Sequence, residues 1–169
     1  MRSKLGQVWI ETVLYTIVGL AIIGIVLGFA MPKINQSKDN IVIQQSINSM
    51  KEIDSQIREV ARSSGSLRIP EFTIRRGFLD IDGVNNKIFL KIDDLSNLYS
   101  ENNVSFNDGN VNIVSLKGDK KNSVIISLNY ANFNITYEGS HQNKVLAPAA
   151  SAYKISIYNN GTNMDFKIS

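Results

Sequence analysis

The sequence predicts an α+β protein in which one long N-terminal helix, half transmembrane and half amphipathic, packs on a C-terminal β head. An apolar run of membrane length follows a short basic leader, a polar stretch with helical periodicity comes next, and the remaining residues alternate with the period of a strand. The expected boundaries are 1–6 for the short basic leader, 7–31 for the transmembrane helix, 32–66 for its amphipathic continuation and 67–169 for the β head.

The first element is an apolar helix that is long enough to span a bilayer. Val8–Met31 contains 24 residues, of which only Glu11 is charged. At about 1.5 Å per residue this run covers about 36 Å, against a hydrocarbon core of about 30 Å. A secretory signal peptide is the alternative, but its apolar region has about 7 to 15 residues and ends in a small-residue cleavage site. Arg2 and Lys4 predict a cytoplasmic N-terminus and an extracytoplasmic remainder.

The second element is an amphipathic continuation of the same helix. Six apolar residues recur at spacings of three or four, which places on one face Ile43, Ile47, Met50, Ile53, Ile57 and Val60. Charged residues such as Asp54 and Arg58 are expected on the remaining, solvent-facing surface. Gly65 is the predicted stop signal. If Pro32 only kinks the path, residues 7–64 form one helix of about 58 residues, roughly 87 Å long.

The third element is a β domain of about seven or eight antiparallel strands, arranged as a sheet or sandwich, because the period changes to two after Leu67. Asp82–Asn86 and Asn107–Asn110 carry turn signals. Leu146–Ser151 is predicted to be an irregular connection. The alternation predicts strands at residues 72–75, 79–82, 88–92, 111–116, 123–130, 132–137, 152–158 and 163–168.

The composition argues against several classes of function. The chain has no Cys, so it has neither disulfides nor thiol chemistry. Its net charge of +3 falls to +1 without Arg2 and Lys4, so no nucleic-acid partner is predicted. The sole His141 has no second His or Cys for a metal set, and the loop around Asp80 and Asp82 lacks the ligand spacing of a calcium hand. We expect no catalytic residue, metal or cofactor.

The N-terminal pattern resembles that of a type IV pilin. A short basic leader ends at Gly6, an apolar helix starts at Gln7, and Glu11 is the fifth residue after the glycine. The polar helix continuation and the β head fit the same pattern. Gln7, where bacterial pilins usually have Phe, and the lack of a C-terminal disulfide pair make the chain most similar to archaeal pilins with a class III signal peptide. Leu5 departs from the basic pair that often precedes the glycine in archaeal leaders.

The resemblance implies a route of processing and assembly. A prepilin peptidase would cut between Gly6 and Gln7, and the new α-amine would pair with Glu11 of a neighbouring copy in a helical homopolymer. A pilus assembly ATPase and its membrane platform would be the other partners. The chain would lie in the cell membrane before assembly and in an extracellular filament afterwards, with its head exposed for adhesion. The other interpretation of Glu11 is a charge that merely lies at headgroup level.

Two further patterns accompany the resemblance. Gly24 and Gly28 form a G-x-x-x-G pair, which lets helix backbones approach closely in an apolar medium, although glycine is also common in membrane helices. Four sequons are candidate glycosylation sites, at Asn35, Asn103, Asn134 and Asn160. The alternative function is an uncut, signal-anchored extracytoplasmic binding protein or a pseudopilin of a secretion system.

Overall fold

The computed structural model of the chain describes the backbone of residues 4–168 and the side chains of residues 8–168. Within them, the helix α1 (Lys4–Ala61) precedes eleven strands, which confirms the predicted α+β class. The strands are β1 (Leu67–Arg68), β2 (Glu71–Phe72), β3 (Phe78–Asp82), β4 (Lys87–Leu95), β5 (Ser105–Asp108), β6 (Val111–Leu116), β7 (Asn122–Asn129), β8 (Asn134–Tyr137), β9 (Asn143–Leu146), β10 (Tyr153–Asn159) and β11 (Asn163–Ile168).

The described chain divides into two compact units between Lys38 and Asp39. We call the residues from Asp39 to Ile168 the head unit. The boundaries expected after residues 6, 31 and 66 stay predictions.

The apolar stripe of α1 forms part of the core of the head unit. All six predicted stripe residues, from Ile43 to Val60, are at most 2% exposed, which confirms the helical period. One hydrophobic cluster contains this stripe together with the inward-facing residues of both sheets. Among the strand residues in that cluster, Leu79, Ile126 and Phe166 are almost completely buried. The helix and the two sheets therefore share a single core.

The expectation that Asp54 faces solvent is wrong, because this residue is 8% exposed. Asp54 lies one turn after Met50, so it stands at the edge of the buried stripe. A buried carboxylate is tolerated when hydrogen bonds replace its water. Arg58, Asn110 and Tyr130 supply these bonds.

The C-terminal end of α1 is fixed by a side chain from the far end of the sequence. The helix ends at Ala61. Asn159 Nδ2 donates to the carbonyl oxygens of Val60 and Ser63, at 3.2 and 3.3 Å. The Val60 carbonyl lies in the last turn of the helix and the Ser63 carbonyl lies in the turn that follows, so the amide caps the end of the helix. Gly65 follows with a φ of 83°, as a stop residue requires, and its N–H donates to the carbonyl of Asn159 at 2.7 Å.

The larger sheet has six strands in the order β5-β6-β7-β4-β3-β9, and each of its pairs is antiparallel. The predicted turn at Asp82–Asn86 joins β3 to β4, with Asp82 opposite Lys87. The turn signal at Asn107–Asn110 joins β5 to β6. Gly109 has a φ of 68°, in the left-handed region that tight hairpins use.

The smaller sheet has five strands and is mixed. β1 and β2 pair with β10 in one continuous register, interrupted at Pro70, which has no N–H to donate. On its other side β10 pairs with β11. β11 then pairs with β8 in parallel, with Asn163 opposite Asn134. This parallel pair differs from the antiparallel prediction, and it requires a long connection, which β9 and β10 supply.

The sequence underestimated the number of strands because three of them are short and lie at sheet edges. β1 has two residues, β5 has four exposed residues, and β9 buries only Leu146. None of them shows the alternation of a half-buried strand. The predicted strand at residues 72–75 is also shorter, since β2 ends at Phe72, although Ile74 is buried.

Asp39 anchors the first turn of the head unit. It is 6% exposed, its Oδ1 accepts from Arg76 Nη1 at 2.6 Å and its Oδ2 accepts from the backbone N–H of Ser96 at 2.7 Å. Burial by itself raises the pKa of Asp39, but the Ser96 N–H and the Arg76 guanidinium outweigh it and lower the pKa below 3.8. The carboxylate thus joins α1 to the residues before β3 and after β4.

Two carboxylates of β3 lie in opposite environments. Asp80 Oδ1 is buried and has no hydrogen-bond partner among the described residues, and burial together with the charge of Asp82 raises the pKa of Asp80. Asp82 accepts from the N–H groups of Val84 and Asn85 and from Asn85 Nδ2. Burial alone would raise the pKa of Asp82, but these bonds outweigh it, so the pKa is lowered.

These environments predict stability changes of opposite sign. Because the pKa of Asp80 is raised in the folded state, its ionised carboxylate destabilises the fold at pH values above that pKa. Asp80→Asn removes this charge, so it should increase the free energy of unfolding at pH 7 by about 0.5–1 kcal/mol. This gain should vanish near pH 2, where the carboxyl is protonated in both states.

Asp82 stabilises the fold above its unfolded-state pKa, and this contribution is lost as pH falls through the lowered folded value. Asp82→Asn should therefore cost about 1–2 kcal/mol at pH 7.

The measurement is urea unfolding of the full chain in detergent, followed by the circular dichroism of the β-sheet. Asp119→Asn, in an exposed loop, is the matched control and should change nothing. A loss of stability for Asp80→Asn at pH 7 would contradict the proposed environment of Asp80.

Candidate functional site

A helical surface that is apolar on every side forms the first candidate site. From Val8 to Met31, which we call the apolar segment, the large apolar side chains are between 38% exposed (Val13) and 79% exposed (Phe29). A helix that is apolar all round is typical of a buried core helix or of a membrane span. By length and composition this helix can cross a membrane, which suggests a transmembrane or signal-anchored region.

Glu11 is the charged residue of the apolar segment, and it lies near the N-terminal end of that segment. The polar neighbours of Glu11 bond to their own helix: Thr12 Oγ1 donates to the carbonyl of Val8 at 2.9 Å, and Thr16 Oγ1 donates to the carbonyl of Thr12 at 2.8 Å. Such back-bonds let hydroxyl groups lie in an apolar medium without outside partners. The two threonines are therefore compatible with lipid, and Glu11 is the residue that brings a charge into the segment.

Gly24 and Gly28 lie one turn apart on α1. Apart from the backbone of the helix itself and the neighbouring residues, a methyl group at either position would meet no atom within 4 Å, so neither glycine is required by packing within the described chain. Together they form a strip on which a second helix could pack closely. Pro32 lies inside α1 and has no N–H, so the Gly28 carbonyl loses the hydrogen bond that residue 32 would otherwise donate. The helix is therefore locally weakened beside this strip.

The predicted processing site, Gly6 and Gln7, falls on helical backbone whose side chains lie outside the described residues. Residues 1–3 of the predicted leader also lie outside them. Glu11 lies four positions after Gln7, which corresponds to about 6 Å along a helix axis. The spacing between the expected new amine and the carboxylate is thus about one turn.

All four candidate glycosylation asparagines are exposed. Asn35 lies on α1, and Asn103 lies before β5 with a φ of 59°. Asn134 begins β8, and its strand position does not hide it. Asn160 lies in the turn between β10 and β11, where its Oδ1 accepts the N–H of Asn163 at 2.7 Å. Because Asn163 is opposite Asn134, the fold brings the last two sequons to the same end of the smaller sheet.

The second candidate site is a hydrogen-bond network centred on Asp54, which the sequence reasoning missed. Asp54 Oδ1 accepts from the Tyr130 hydroxyl at 2.9 Å and from Asn110 Nδ2 at 3.0 Å, and Oδ2 accepts from Arg58 Nε at 2.8 Å. Burial and the charge of Asp54 raise the pKa of Tyr130, so the phenol stays protonated and donates. The available signal in the sequence was the i,i+4 spacing of Asp54 and Arg58.

The other ionisable groups that the sequence singled out lie apart from these two sites. His141 is exposed, and its Nδ1 lies 3.1 Å from the carbonyl oxygen of Gly83. Both oxygens of Asp82 are used within the turn between β3 and β4. Within residues 4–168, no three His, Cys, Asp or Glu side chains are grouped in a way that could hold a metal ion.

Both sites are thus defined by physical features of the chain: an exposed apolar surface with one carboxylate, and a buried carboxylate that orders three side chains around it. In comparisons with known proteins, the chain matches no protein-family model, no curated protein and no solved structure.

Proposed function

We propose that the chain is a structural subunit of a type IV pilus-like surface filament, which polymerises through the apolar segment and exposes the head unit for adhesion. The observation that carries this proposal is the exposure of the apolar segment on every side. Such a surface must be covered, by lipid in the membrane or by other helices in an assembly. A bundle of identical apolar segments covers it and leaves each head unit in water.

Glu11 sets the axial position of each subunit in the proposed polymer. Cleavage after Gly6 creates a free α-amine on Gln7, with an ordinary pKa of about 7.7 to 8. A carboxylate inside an apolar bundle is costly unless a positive charge pairs with it. The Gln7 amine of a neighbouring subunit supplies that charge only at one axial offset. The pair therefore specifies the step between subunits, even where it adds little net stability.

Other residues of the apolar segment have roles in the same assembly. Gly24 and Gly28 allow neighbouring helices to approach closely. Near Pro32 the helix lacks one hydrogen bond, so it can unwind locally with less cost when subunits pack. The partners of the pathway are a prepilin peptidase, a pilus assembly ATPase and its membrane platform. The chain lies in the cell membrane before assembly and in an extracellular filament afterwards.

The competing function is an uncut, signal-anchored binding protein, because a single apolar helix is also what a membrane anchor requires. A pseudopilin of a secretion system stands between the two. A pilin is cut at the bond between Gly6 and Gln7, whereas an uncut, signal-anchored binding protein keeps this bond.

We predict that the assembled protein begins at Gln7. The measurement is intact-mass and N-terminal peptide mass spectrometry of the chain isolated from its native cell surface. The membrane-bound precursor in cells without peptidase activity should begin at Met1 or Arg2, and it serves as the control. An assembled chain that still carries residues 1–6 would overturn the pilin proposal.

We also predict that Glu11→Ala abolishes filaments without preventing cleavage. Since the carboxylate fixes the axial step, filament yield in the sheared surface fraction should fall by about tenfold or more, while the amount of mature chain in the membrane is unchanged. Glu52→Ala, which removes an exposed carboxylate from the head-unit part of α1, is the matched control and should assemble normally. Normal filaments from Glu11→Ala would remove the assembly role of Glu11.

A further inference from the structure

Two adjoining cavities lie on the head unit, and the smaller one is lined by Arg58, Asn110 and Tyr130 of the Asp54 network. The smaller has a volume of about 180 Å³ and the larger about 400 Å³. Asn132 and Phe133 line both, so the two cavities adjoin at a shared wall, and we call the two together the groove. Ligand sites in proteins typically have volumes of about 300–1,000 Å³, and the larger cavity alone lies within that range.

Several hydrogen-bonding atoms of the residues that line the groove have no partner among the described residues. Arg58 donates its Nε to Asp54, and within the described residues no protein group accepts from its two Nη atoms. Asn110 donates its amide to Asp54, while its Oδ1 stays available. The amides of Asn129 and Asn132 make no side-chain hydrogen bond in the described part of the chain. The groove thus offers both donors and acceptors.

An aromatic pair gives the groove an apolar surface. The rings of Tyr130 and Phe133 are stacked, with centroids 4.8 Å apart and planes at 26°. Tyr130 is held by its hydrogen bond to Asp54, and Phe133 packs against the core while it also lines both cavities. Because one buried carboxylate bonds to Tyr130, Asn110 and Arg58, these three side chains of the smaller cavity are held in place before any ligand binds.

The charge of the groove is balanced. Among the described lining residues Arg58 is the only basic or acidic one, and its Nε lies 2.8 Å from Asp54 Oδ2. The rest of the polar lining consists of amides and hydroxyls. A strongly anionic or cationic ligand would therefore find no uncompensated charge. Neutral ligands rich in hydroxyl groups match amide donors and acceptors, and a sugar ring also presents C–H faces to an aromatic ring.

We propose that this groove binds a neutral saccharide, with Phe133 under the sugar ring and the amides of Asn129 and Asn132 on its hydroxyl groups. Arg58 and Asn110 supply the remaining polar contacts. The inference rests on the proposed adhesive role of the head unit, since it names the class of ligand. It does not require a filament, because the groove lies entirely within the head unit.

The test uses the full chain, produced in a host that does not N-glycosylate, in a phosphocholine detergent whose headgroup carries no sugar. Saturation-transfer NMR measures binding of cellotetraose, maltotetraose, the tetramer of N-acetylglucosamine and, as an anionic comparison, tetragalacturonate. We expect at least one neutral tetrasaccharide to bind with a Kd below about 1 mM and at least about fivefold more tightly than tetragalacturonate.

Substitutions of residues that line the groove test whether the saccharide binds there. Phe133→Ala should weaken binding by about tenfold and Asn132→Ala by about fivefold, while Asn97→Ala, at an exposed asparagine elsewhere, should bind like the wild type. Asn132 is exposed and makes no side-chain hydrogen bond within the described residues, so its removal leaves the fold intact even if Phe133→Ala does not. Circular dichroism of the β-sheet checks each variant.

Three outcomes would overturn the proposal: no neutral tetrasaccharide bound at about 10 mM, tighter binding of tetragalacturonate than of every neutral probe, or wild-type binding by Asn132→Ala. Glu11→Ala should bind saccharide normally, because it lies outside the head unit. Failure of the filament proposal and failure of the saccharide proposal are therefore observed separately.

Discussion

One face of α1 fills the core of the head unit, and the sheets depend on it. The chain has no Cys, so no covalent link holds the strands together. Each sheet must bury one face, and the stripe from Ile43 to Val60 belongs to the same hydrophobic cluster as the inner faces of both sheets. The same helix is apolar on all sides from Val8 to Met31. The helix therefore has two parts: a segment that is apolar on every side, and a segment whose single apolar stripe packs against the two sheets.

Local periodicity explains which parts of this fold the sequence could predict. The stripe, the turn at Asp82–Asn86 and the longer strands are each encoded within a few neighbouring residues, and all were found. β5 and β9 were missed because a short edge strand needs only backbone partners and carries no buried alternation. The parallel pairing of β8 with β11 was missed because it joins segments that are distant in the chain.

The same distinction applies to the candidate sites. The apolar segment is a local property, so the sequence could predict it together with Glu11. The Asp54 network is not local, since Asn110 and Tyr130 lie 56 and 76 residues away from Asp54. Asp54 resembles an ordinary surface residue of a polar helix until the fold brings these partners to it. The burial and the pKa of a carboxylate on a helix depend on its tertiary contacts, which the local sequence does not show.

The cap that Asn159 places on α1 has a consequence for the order in which the head unit can form. β1 and β2 pair with β10, and β8 pairs with β11, so the smaller sheet has no strand pairs until residues 153–168 have been made. The larger sheet is complete at Leu146. A chain that emerges N-terminus first can thus close one sheet early but must keep the other open, together with the last turn of its helix, until its final hairpin arrives. A chain truncated before this hairpin would therefore keep every strand of the larger sheet but would lose every strand pair of the smaller one.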